Sequence, residues 1–492
     1  MKVLLGVEDP HWIPEVSYAV RVMCACLGLQ VETVDYADIA QAAGETSVAL
    51  TYGSFPPAGG SRGVHVYPSA FFGPQYLTPR SLPTGPVPRL DGLPILFQGA
   101  GGRSELCIWN STDQDVQRVE TNLDIVASSF FLATRYEEIV DRNRDRCGRF
   151  PASASLAVRE GFIDRPLVNE YAELLWRWIS RVATKAERPA SPWEGHSFAA
   201  CVTHDIDHVR KYRWRPPLRL LGRHLLIERD LSRFGRTVVD YAACRLGRRK
   251  DPFDTFSYLC ALEDRHGFTS TFFVFGGGST RMDARYTLAD PEIRLLLRSA
   301  RSRGDEVGLH SSFESYKDPE MLRVERRELE AALGSCVSGV RQHFLRWEVP
   351  SSWLARSQAG FLYDASLTFP EHEGFRCGIC TPYQAFDIAH RSVLPIWEIP
   401  TTVMDGSLRK YQDLPPEEGL KRILALIQTV RRHGGLFVLL WHNSSLDPNS
   451  WSGWRAVYEE TLEQLHEQGA LLVTLRDALK SWVGAIEDPP AG

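Results

Sequence analysis

Beyond residue 196 the chain repeats one pattern: a short apolar run, a helical stretch, then another apolar run. The runs are "FAACVTHD", "STFFVFGG", "DEVGLH", "GVRQHFLRW", "FLYDASL", "LPIWEIP", "GLFVLLWH" and "GALLVTL". Segments with helical spacing lie between most of them, among them "PEIRLLLRSARSRG", "DPEMLRVERRELEAALG" and "EEGLKRILALIQTVRRHG". Near-continuous apolar strands joined through helices form parallel sheets, and seven or eight such units favour closure. The predicted fold class is α/β, with a distorted (β/α)7-8 barrel over residues 196–485.

In such a barrel the active site gathers at the C-terminal ends of the strands. Polar residues stand there: Asp205 and Asp207 after the first run, His310 after "EVGL", His343 in "RQHFLRW", Asp364 after "FLY", Glu398 in "IWEIP" and His442 after "FVLLW". The first of these groups, "THDIDHV", places two histidines and two aspartates in five consecutive positions. Aspartates at one strand end are commonly turn formers or helix caps, and one histidine alone is commonly structural. Several such groups on separate strand ends of one barrel point instead to a metal or acid–base site.

The N-terminal part starts as α/β, with strand-like "KVLLGV", helical "VSYAVRVMCACLGL" and strand-like "QVETV". Residues 50–120 are rich in Gly and Pro and suggest no architecture; two helical stretches and a linker, "ERPASPWEG", follow. An N-terminal α/β domain over 1–190 is therefore expected. The formal charge of −5 excludes a nucleic-acid partner recruited by global charge. The N-terminus lacks the apolar core of a secretory signal and no run is long enough to span a bilayer, so a cytoplasmic protein is expected. Ten cysteines in 492 residues are no disulfide scaffold, and the "CGIC" pair Cys377 and Cys380 is weak evidence for zinc or redox chemistry.

The motifs also resemble a known family. Asp205 and Asp207, "GLHSS" after the third strand, "VRQH" after the fourth and "LLWH" near the end are similar, in order, to the motifs of the polysaccharide deacetylases of carbohydrate esterase family 4. The likeness covers roughly 196–485 and is nearest to a divergent branch with a long N-terminal extension. It implies Asp205 as base, Asp207 and His310 as ligands of a divalent metal, His442 as acid, and Arg341 as the arginine that orients the base. There are two departures. Ile206 separates the aspartates, which are usually adjacent, and Glu314 stands where the second motif normally has its second histidine. The third ligand is then His343, Glu314 or His204; His343 is favoured because it ends a separate strand and imidazole suits zinc-like ions.

The chemistry follows from the residue types as well. A divalent ion held by one carboxylate and two imidazoles acidifies water and polarises a carbonyl, which is the machinery of amide or ester hydrolysis. Asp205 beside it can take a proton, and His442 opposite can protonate a leaving amine. The expected activity is removal of an N-acyl group, N-acetyl foremost, from a sugar in surface-glycan or glycan-precursor metabolism, with a lipid- or nucleotide-linked precursor as partner. Two alternatives are a glycosidase pairing Asp205 with Glu398 or Asp364, and a non-catalytic glycan- or lipid-binding barrel. Arg376 is a candidate for contact with a substrate carbonyl or phosphate or for a surface salt bridge, and Arg341 and Arg346 are also candidates for plain pairs with carboxylates. Finally, residues 208–250 hold thirteen Lys and Arg against three acidic residues, interleaved with apolar ones as in "LRLLGRHLLI". This basic insertion suggests either peripheral contact with the inner membrane or a solvated helical hairpin.

Overall fold

In a computed structural model the described residues are 1–487 except 43, 45, 58–61, 101–107, 114–115, 213–216, 228 and 279. The N-terminal part forms a six-stranded sheet in the order Gln30–Thr33, Lys2–Val7, Ser47–Tyr52, Gly63–Val66, Val116–Thr121, Ile108–Asp113. All its pairings are parallel except the last, an antiparallel hairpin. The Gly/Pro-rich stretch thus contributes strands to this sheet. The helix Leu167–Val182 buries Leu167, Tyr171, Leu174, Leu175, Trp178, Ile179 and Val182, the single-faced spacing expected of an amphipathic helix.

The C-terminal part is a ten-stranded curled sheet with Ala199–Asp205 near its middle. On one side follow Thr271–Phe275, Glu306–Ser311, Gly339–Gln342, Tyr363–Asp364 and Ser392–Glu398; on the other, Leu436–Leu440 and Val403–Met404. Every pairing is parallel except that of the edge strand Tyr383–Asp387 with Ser392–Glu398. The stretch 399–402 leads from Ser392–Glu398, next to one edge of the curled sheet, to the opposite edge, where the Thr402 N–H donates to the Val438 carbonyl, so the barrel is distorted rather than evenly closed. Three of its helices, Phe256–His266, Pro291–Arg303 and Pro319–Leu333, end on a left-handed glycine, Gly267, Gly304 and Gly334, before the chain turns toward the next strand. All seven residues of Ala199–Asp205 are buried, as a central parallel strand covered on both faces must be.

The two sheets share one seam. Tyr18 packs on Phe386 with ring centroids 4.7 Å apart and donates to the Gln384 carbonyl at 2.8 Å. Residues 374–380 are laced to the N-terminal part: Phe375 N–H to the Ile163 carbonyl at 2.7 Å, Val168 N–H to that of Gly378 at 2.8 Å, and Cys380 N–H to Asn169 Oδ1 at 3.1 Å. Gly374 is required here, with φ +115° and with Ile163 O only 2.4 Å from where a Cβ would lie. Arg376 forms a bidentate pair with Glu138 at 2.7 and 2.9 Å, both side chains 1 % exposed, and Arg135 joins the same carboxylate. Arg376 is therefore neither at a site nor at the surface. Cys377 and Cys380 are buried free thiols in this seam; burial pushes Cys377 up to about 12, so neither suits thiolate chemistry. The stretch read as a linker is also pinned, since Trp193 is buried, donates to the Gly434 carbonyl at 2.7 Å and stacks on Trp482.

Candidate functional site

Alternation along the first barrel strand decides which of its polar residues meet. Thr203 and Asp205 point to one side, where Arg341 reaches both, while His204 points to the other. His204 is fully buried there, spanning the Trp441 carbonyl at 2.7 Å and Glu263 at 2.8 Å; both ring nitrogens are used. Ile206 is an anchor, its N–H on the Phe273 carbonyl and its own carbonyl receiving the Tyr286 hydroxyl at 2.7 Å. With one anchored residue between them, Asp205 and Asp207 approach the same imidazole: His310 Nε2 lies 3.8 Å from Asp205 and 3.1 Å from Asp207.

Around Asp207 stand three histidines from three strand ends. Besides His310, His343 Nε2 is 3.7 Å from its Oδ1 and His442 Nε2 is 3.6 Å from its Oδ2. Ligand atoms of Asp207, His310 and His343 all lie within 4.8 Å of one another, so these three can hold a metal ion. The donor set fits one. His310 Nδ1 faces the Arg341 carbonyl at 3.1 Å, a contact that turns its Nε2 toward Asp207, and His343 likewise presents Nε2 to the same carboxylate. One carboxylate and two imidazoles suit zinc and neighbouring divalent ions. Glu314 lies elsewhere: its side chain is 52 % exposed and pairs with Arg346, which stacks on Phe313 and Tyr316.

Charge balance within the cluster separates the imidazoles. Burial lowers His343 to about 4 despite nearby Asp207, leaving it neutral. Burial also opposes the charged form of His442, but Asp405 outweighs it and raises this imidazole to about 9. Burial would raise Asp207, yet the surrounding histidines hold it well below the usual carboxylate range. Asp405 grips His442 twice, Oδ1 to Nδ1 at 2.7 Å and Oδ2 to the backbone N–H at 2.8 Å, and is fully buried. On the opposite flank, Arg341 donates to Asp205 at 3.1 Å, Thr203 at 2.6 Å, the Ala365 carbonyl at 2.9 Å and Thr401 at 3.0 Å, over the Phe273 ring.

Sequence reasoning missed Asp405, Thr401 and Arg149. Arg149, from the N-terminal part, donates to the Phe344 carbonyl at 2.8 Å. That contact fixes the turn after His343, where Phe344 and Leu345 hold φ of +60° and +52°. Two strand-end acids are not brought to the cluster. Asp364 is bound by Arg356 and Glu398 by Trp353, both from the helix Ser351–Gln358 outside the sheet, so neither faces Asp205 as a glycosidase would require.

Residues 5–184 match the model of a family of unknown function, DUF7033. No curated protein matches the chain. Among solved structures, the chain is similar to one from Mycobacterium smegmatis assigned as a polysaccharide deacetylase, at 19% identity and a TM-score of 0.40, over 62% of this chain and 96% of that one. It is similar to the Puue allantoinase at 14% identity and a TM-score of 0.40, over 62% and 97%. A CE4 family pseudoenzyme from Bacillus anthracis aligns at 13% identity and a TM-score of 0.29, over 57% and 65%.

Proposed function

We propose that the chain is a metal-dependent hydrolase that removes an N-acyl group, N-acetyl in the first instance, from a sugar in surface-polysaccharide or glycan-precursor metabolism. The observation that carries this reading is the layout of the cluster. Asp207, His310 and His343 converge on one point, with the Arg341–Asp205 pair on one flank and the Asp405–His442 pair on the other. A divalent ion, zinc or a close neighbour, supplies polarisation of the amide carbonyl and a more acidic water. Asp205, held by Arg341, takes the proton that the attacking water loses. His442, kept protonated and aimed by Asp405, gives its proton to the amine nitrogen as the C–N bond breaks. The products are a carboxylic acid and the free amino sugar, and each proton has a named acceptor or donor.

The test is the metal content of the purified chain beside Asp207→Asn and His310→Ala, followed by acetate release from N-acetylated sugar precursors. About one divalent ion per chain, lost in both variants, and acetate release that follows it support the reading. A wild-type chain that takes up neither zinc, cobalt nor nickel ends it.

A further inference from the structure

The basic insertion of residues 208–250 packs Tyr212 and Tyr241 inward, yet turns a row of aliphatic side chains outward. In the helix Leu231–Arg245 the buried residues are polar: Thr237, and Asp240, which accepts from Arg249 and from Asn449 Nδ2 at 2.7 Å. The opposite face carries Leu231, Val238, Val239 and, one residue past the helix, Leu246, at i, i+7, i+8 and i+15; they are 70, 41, 63 and 67 % exposed. The preceding turn adds Leu225, Leu226 and Ile227, the last two 75 and 76 % exposed, and Leu218 adds to them. Among the described residues, eight of the sixteen exposed large hydrophobics thus fall between residues 218 and 246. A helix of a water-soluble surface turns such residues inward, and a concentration of this kind marks an interaction face.

Charge identifies what it meets. Arg229, Arg236, Arg248 and Lys250 are all exposed around the apolar face, while of the described acidic residues there Asp240 is buried and Asp230 pairs with Arg233 at 3.4 Å. Aliphatic side chains ringed by guanidinium groups match an anionic bilayer, with tails taking the leucines and headgroups the arginines. Among the described residues, no helix is long and apolar enough to cross a membrane, so the contact is interfacial. We propose that this face docks on the surface of an anionic lipid bilayer.

The hairpin is rooted beside the candidate site. Asn443, next to His442, donates to the carbonyls of His208 and Phe253 at 2.9 Å each, and His208 follows Asp207. Lys211 pairs with Asp447 at 2.6 Å. Docking therefore holds the rim of the cluster at the lipid surface. If the hydrolase reading holds, on which this step rests, the sugar is carried there by a lipid.

The experiment is flotation of the full chain with vesicles of phosphatidylcholine alone and mixed with phosphatidylglycerol, at low and high salt. Beside it run an apolar variant, Leu226→Gln with Ile227→Gln and Val239→Gln, and a charge variant, Arg236→Glu with Arg248→Glu. The expected result is strong binding to mixed vesicles, at least ~10-fold weaker for neutral vesicles and for either variant, and weakened by salt. Absence of binding, or undiminished binding by both variants, overturns the proposal. So does concentration-dependent self-association in sedimentation that the apolar variant abolishes without vesicle binding, since a second copy would then cover the face. Metal uptake is read in parallel. Intact flotation with no metal uptake sinks the hydrolase reading and leaves docking standing; the converse sinks docking alone.

Discussion

Two buried clusters of acids and bases sit on the same curled sheet and are finished to different degrees. In the first, facing the helix Ser351–Gln358, every carboxylate oxygen has a donor. Asp364 receives Arg356 and Ser366, and Glu398 receives Trp353 at 2.9 Å and the Leu367 N–H at 3.2 Å. In the second, at the strand ends, three imidazoles turn Nε2 toward one carboxylate, and only His310 comes within hydrogen-bond distance of it. Buried polar groups are costly unless satisfied, so the first cluster serves the fold, whereas the second is the one proposed above to hold a metal.

The sharpest test of that contrast is removal of a ligand from the unfinished cluster. His343→Ala should lower bound divalent metal from about one ion per chain to none and cut turnover by more than the ~100-fold typical of outer partners; retained metal would break the contrast. The finished cluster should answer in the opposite currency. Arg356→Ala leaves Asp364 buried without its guanidinium and should cost about 3–5 kcal/mol in urea unfolding, with metal content per folded chain unchanged.

Next comes Asp405→Asn in the metal-free protein. Because the folded His442 is raised to about 9, its contribution is complete below its ordinary value near 6.5 and is lost as pH rises through about 9. The variant should therefore lose on the order of 2 kcal/mol at mildly acidic pH, a loss that shrinks between about pH 6.5 and 9 and is gone above that; a loss independent of pH would show that Asp405 acts by packing alone. The smallest effect is expected from Arg149→Ala. Freeing the turn after His343 should weaken metal affinity by about 10-fold, with partial recovery in Arg149→Lys, measured by chelator competition.

What could be read in advance followed local pattern. The long parallel strands and their helices announce themselves by apolar runs and spacing, and Asp205, Asp207, His310, His343 and His442 are legible because each ends or follows such a run. Asp405 is not, since its strand, Val403–Met404, is two residues long and has no period. Glu138 and Arg376 are 238 positions apart, and no local signal marks one as the partner of the other. The strands Gly63–Val66 and Ile108–Asp113 are hidden in Gly- and Pro-rich surroundings because their identity as strands comes from neighbours, not from propensity. Helix Leu231–Arg245 buries Thr237 and Asp240 and exposes Leu231, Val238 and Val239, against the rule by which burial is inferred from hydrophobicity.

The Glu138–Arg376 pair has a practical consequence for dissecting the molecule. A fragment beginning near residue 196 would retain Arg376 in an apolar seam and lose its carboxylate, along with the aromatic surface that Tyr18 and Phe130 lay over Phe386. Such a fragment should aggregate rather than report on catalysis. The two parts are better separated by point substitutions in the intact chain than by a cut.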